Sequence, residues 1–75
     1  MPHTFEDLVT LERLAEDARA AYVASPDADT RNAWLAAGDA FQAAVTEHAA
    51  AEGKPRVDVE MAAKKIVRHP ELAAG

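Results

Sequence analysis

His48 and Glu52 stand one helical turn apart, and an imidazole and a carboxylate at that spacing can offer two metal ligands from one helix face. A zinc-type site needs a third ligand and usually a fourth. His3 and His69 lie near the two ends of the sequence, and neither a His-rich tract nor an HExxH pattern supplies the rest. His48 therefore reads as a helix-seam residue satisfied by a neighbour or by water, with pH sensing as its one further role. Glu12 with Glu16, and Asp27 with Asp29, form carboxylate pairs of the kind that acidic helix surfaces produce by chance. General acid–base work would need one of them in a dry pocket. Ser25 is the single serine, precedes a proline and has no GxSxG or SxxK surroundings. The glycines at 38, 53 and 75 are isolated, so no phosphate-cradling loop is present. Without cysteine, disulfides, thiolate metal sites and cysteine nucleophiles are excluded. No catalytic, metal or cofactor residue is expected, and the chain reads as a non-enzyme.

Positive charge is the remaining candidate chemistry. Residues 1–53 hold 3 basic and 10 acidic side chains, a balance of −7, whereas residues 54–75 hold 5 basic and 3 acidic, a balance of +2. Arg56, Lys64, Lys65 and Arg68 could line a helix that meets nucleic acid, which gives the alternative reading of a small DNA-binding accessory protein. The acidic segment before them repels phosphate and removes the electrostatic contribution that usually dominates such binding. A solvated face is the simpler account. The acids Glu6, Asp7, Glu12, Glu16 and Asp17 could meet a cationic partner or, more simply, keep the protein soluble.

The elements that position these groups follow from composition and phase. Of the 75 residues, 49% are hydrophobic, but 19 are Ala and only 18 are larger apolar side chains. Ordering such a chain costs on the order of 110 kcal/mol at ~1.5 kcal/mol per residue, so a core this thin calls for self-association. No apolar run approaches the ~20 residues of a membrane span, and the acidic start lacks a secretory n-region. A soluble, cytoplasmic protein is expected.

Two interruptions divide the chain, Ser25-Pro26-Asp27 and Gly53-Lys54-Pro55. Thr4 to Asp7 has the capping-box pattern and opens a helix over residues 4–24, with Leu8, Leu11, Ala15, Ala18 and Tyr22 spaced 3, 4, 3, 4. Ser25 as N-cap and Pro26 at the first helical position predict a second helix over 26–52. Trp34, Ala37, Phe41, Ala44, His48 and Ala51 repeat the same rhythm there. Folded back on each other, the two seams pair Tyr22 with Trp34, Ala18 with Ala37 or Gly38, Ala15 with Phe41, Leu11 with Ala44 or Val45, and Leu8 with His48, and the small residues at the middle layers let the helices approach closely. Asp58 as N-cap predicts a third helix over 58–69 with Val59, Ala62, Ala63 and Ile66 on its inner face, and residues 70–75 read as a frayed tail.

The expected fold is therefore all-α, a single domain over residues 1–75: an antiparallel hairpin of long Ala-rich helices plus a shorter third helix, completed by dimerisation. The third helix is too short to cover the hairpin and should lie over Val45 and Ala49 with Phe5 and Val9. It leaves Leu14, Ala21, Tyr22, Trp34 and Leu35 at the turn end as the candidate protein-interaction residues, because aromatic residues concentrate at interface hot spots. Tyr22 and Trp34 could instead only close the hairpin end within one chain. The function this implies is a small interaction, regulatory or scaffold protein acting as a homodimer.

Overall fold

A computed structural model describes residues 3–68, and within them the chain forms three helices and no strand. Helix α1 (Phe5–Ala24) begins where Thr4 supplies its cap. The Asp7 amide donates to Thr4 Oγ1 and the Thr4 amide donates to Asp7 Oδ2, each at 3.1 Å. This is the reciprocal box read from the sequence, and it satisfies two amides the helix cannot satisfy itself.

The turn that follows is built differently from the expectation. Helix α2 spans Ala28–Glu52 and is capped by Asp27, while Ser25 closes α1 by donating its amide to the Ala21 carbonyl at 2.9 Å. Asp27 wins over Ser25 because Thr30 stands three residues after it. The Thr30 amide donates to Asp27 Oδ1 at 2.8 Å, and the Asp27 amide donates to Thr30 Oγ1 at 3.1 Å. Thr30 also donates its hydroxyl to the Ser25 carbonyl at 2.8 Å, which ties the second helix to the end of the first. Hydrogen bonding to the Thr30 amide foremost, and to the Asp29 amide, holds the Asp27 carboxyl below its ordinary value. Pro26 sits in the connection instead of in the helix.

Gly53 ends α2 in the left-handed region, φ 64°, where a side chain would be strained. There the Lys54 amide turns back to the Ala49 carbonyl at 3.0 Å. Helix α3 (Arg56–Arg68) starts directly after Pro55, two residues earlier than the Asp58 cap would place it. Pro55 fixes its own φ and presents its carbonyl to the Asp58 and Val59 amides at 3.1 and 3.3 Å, so Asp58 falls within the first turn and complements its partial positive charge. His69 and the tail over 70–75 lie outside the described residues.

The helices bury one small cluster. Leu8 of α1, Phe41, Ala44, Val45 and Ala49 of α2, and Val59 and Ala63 of α3 form it, with Phe5 and Leu11 packed on its edge. α3 crosses the hairpin at the end remote from the turn, the seating expected from its length. Its inner face is narrower than the sequence reading: Val59 and Ala63 are buried and Ile66 half-buried, but Ala62 is exposed. None of the described helices is long and apolar enough to cross a membrane.

Candidate functional site

Tyr22 and Trp34 meet across the turn end of the hairpin, their rings 5.4 Å apart and tilted by 32°. That spacing suits an offset aromatic pair. Both rings are half-buried. Leu35 beside them is 50% exposed. The other two residues expected at this surface stand elsewhere. Leu14 is two residues from both Glu12 and Glu16, hence about 160° round α1 from the flank that faces α3, and Ala21 shares its line one heptad on. Leu14, 54% exposed, therefore belongs to the opposite broad face of the hairpin.

Val23 takes its place. It lies seven residues after Glu16, on the α3-facing flank of α1, and is 64% exposed. Leu35 lies seven residues before Gln42, on the matching flank of α2. Val23, the Tyr22–Trp34 pair and Leu35 thus continue, toward the turn, the groove in which α3 sits, with Val23 and Leu35 exposed and the two rings half-buried. Phase arithmetic against Glu16 could have found Val23, but only with the side on which α3 lies already known.

Between that apolar end and the flank of α3 lies a cavity of about 250 Å³. Glu12, Ala15, Trp34, Gly38 and Phe41 line it from the hairpin, and Lys64 and Arg68 from α3. Glu12 is not the solvated carboxylate expected from its pairing with Glu16: it is 3% exposed, and its Oε2 has no hydrogen-bond partner among the described residues. The cause is phase. Glu12 follows Leu8 by four residues, so it faces inward, and α3 packs across it. Burial pushes its pKa above the ordinary 4.5, opposed by the charges of Lys64 and Arg68 and reinforced by Glu16 and Glu60.

The basic residues of α3 do not form one free surface. Arg56 Nη1 and Lys64 Nζ both pair with Glu60, at 2.7 and 2.9 Å, and Arg56 Nε also donates to Thr46 Oγ1 at 3.0 Å. The two cations hold the Glu60 carboxyl below its ordinary value by hydrogen bonding. Lys65 and Arg68 are the members of the set left exposed.

His48 is buried, with Nδ1–H donating to the His3 carbonyl at 2.6 Å and Nε2 4.0 Å from Glu52 Oε1. A neighbour satisfies it, as its seam position implied. Among the described residues no three His, Asp or Glu side chains converge as metal ligands. Comparison with family models, curated proteins and solved structures returns no significant match.

Proposed function

We propose that this protein is a small, non-catalytic interaction module of regulatory or scaffold type, acting in the cytoplasm as a homodimer in which a second copy covers the apolar turn end. The observation that carries the reading is the apolar turn end, where Val23 and Leu35 are exposed beside the half-buried Tyr22–Trp34 pair. A second copy is the occupant favoured by energetics and charge. Four of the nine buried apolar residues are alanines (Ala15, Ala44, Ala49 and Ala63), which bury little area each. Small domains with cores of this size gain stability from assembly. The chain also carries both signs, an acidic hairpin and a basic third helix, so two copies attract one another where acidic and basic ends meet. The cysteine-free composition agrees with a reducing compartment.

Light scattering tests the reading. The expected mass exceeds the 8.0 kDa of one chain and falls toward it in Trp34→Ala and in Leu35→Lys. Leu35 is half exposed and outside the core cluster, so its substitution leaves the fold intact. A mass of one chain for the unaltered protein at high concentration contradicts the proposal.

A further inference from the structure

The residues on either side of Leu35 form a stripe that complements itself. Arg31 stands four residues before Leu35 and Asp39 four residues after it, and all three are exposed. From this symmetry we infer that two copies of the chain pack α2 against α2 in opposite directions, with Leu35 on the two-fold axis and Arg31 of each copy paired with Asp39 of the other. The inference rests on the proposed homodimer and specifies its contact.

Four observations select this arrangement. First, the two charges have no partner within one copy. Among the described residues neither Arg31 nor Asp39 forms an ion pair, although Arg19, Arg56 and Lys64 each find a carboxylate. Eight residues separate Arg31 from Asp39, about 12 Å along the helix, so the two do not meet each other. Second, the spacing is symmetric. Each charge lies about 6 Å from Leu35 along the axis, on opposite sides, and reversing the second copy about Leu35 sets a cation opposite a carboxylate twice. Packing in the same direction would set Arg31 against Arg31 and Asp39 against Asp39, which repel.

Third, the stripe lies where the apolar turn end is open. Arg31 and Leu35 stand seven residues before Gly38 and Gln42, which line the cavity beside α3, so both lie on the flank of α2 that α3 uses further along. A row of every fourth residue is one of the ridges through which helices interlock, and two such ridges give the commonest crossing, about −50°. Fourth, α1 offers no equivalent stripe. Val23 has Arg19 four residues before it and Asp27 four after, but Arg19 is held by Glu16 at 3.2 Å and Asp27 caps α2 through the Thr30 amide at 2.8 Å. The two-fold axis therefore belongs to α2, and Val23 lies at its margin.

Sedimentation equilibrium of the full chain tests this register through charge reversal. Arg31→Glu sets carboxylates opposite one another twice and Asp39→Lys sets cations opposite one another twice, so each should weaken self-association by about tenfold or more, because symmetry counts every lost pair double. Both side chains are exposed and outside the core cluster, so circular dichroism should show the same helical fold. An equimolar mixture of the two variants should recover the mass of the unaltered protein, since both pairs of a mixed dimer are again of opposite sign. The double variant Arg31→Glu/Asp39→Lys should likewise assemble with itself. Self-association of either single variant as strong as that of the unaltered protein, or a mixture no heavier than its components, would overturn the inference and leave the dimer standing. A one-chain mass for the unaltered protein would instead overturn the dimer, and the inference with it.

Discussion

Replacing Glu12 with Gln is expected to stabilise the protein at neutral pH and to leave it unchanged in acid. Folding removes the carboxylate from water, and its Oε2 finds no compensating donor among the described residues. Such an orphaned group costs about 1–3 kcal/mol, and the nearby charges of Lys64 and Arg68 return part of that. A neutral side chain of the same shape loses both the desolvation of the charge and the attraction, so the net gain is on the order of 1 kcal/mol. The sign with pH follows from linkage. Because folding raises the pKa of Glu12, its contribution to stability is fully present below the ordinary 4.5 and is lost as pH rises through the folded value. Glu60 behaves oppositely: its pKa is depressed by Lys64 and Arg56, so its contribution is present above 4.5 and disappears as pH falls through its folded value. Urea denaturation followed by far-ultraviolet circular dichroism, repeated from acid to neutral pH, separates the two. Glu12→Gln should gain on the unaltered protein as pH rises past 4.5, whereas Glu60→Gln should fall behind it at lower pH, as pH rises toward 4.5 from below. Glu12→Gln less stable than the unaltered protein at neutral pH would refute the reasoning, because it would mean that Glu12 is held by a strong ion pair.

The two described glycines should respond with opposite signs to alanine. Gly38→Ala gains about 1 kcal/mol from helix propensity because its Cβ meets nothing, whereas Gly53→Ala loses about 1 kcal/mol or more at its φ of 64°; thermal midpoints moving in the same direction would contradict this. Phe41→Ala removes the largest fully buried side chain and should cost about 3–5 kcal/mol, which is enough to abolish cooperative unfolding in a domain this small; retention of a sharp transition near the original midpoint would show that the core lies elsewhere.

The long-range plan of the fold was legible because it depends on periodicity. The 3, 4 spacing that joins Leu8 to Tyr22 and Trp34 to His48 survives small errors at helix ends, and it places Tyr22 against Trp34 as observed. Caps were legible only where one candidate stood alone. Thr4 and Gly53 had no competitor, but Ser25 and Asp27 are both good N-caps, and the choice rests on Thr30, which closes a reciprocal box with Asp27. Pro55 likewise moved the start of α3 ahead of Asp58 by supplying the first accepting carbonyl itself.

The burial of Glu12 was not legible, since a Glu four residues after Leu8 looks like any carboxylate until a third helix lies over it. The same missing information, the side of the hairpin that α3 chooses, separated Leu14 and Ala21 from Leu35 and brought Val23 into the exposed row. Charge on α3 was visible as composition, and the four-residue spacing of Glu60 and Lys64 made that pair legible, but the engagement of Arg56 by the same carboxylate was not. Glu60 engages Arg56 and Lys64 together because residues four apart on either side of it share one helix face.

The reading of this protein as a self-associating interaction module is tested most directly by sedimentation equilibrium across a wide concentration range. A mass approaching twice 8.0 kDa that falls on dilution, and that stays at one chain in Leu35→Lys, is the expected result. A mass of one chain for the unaltered protein at every concentration would contradict it.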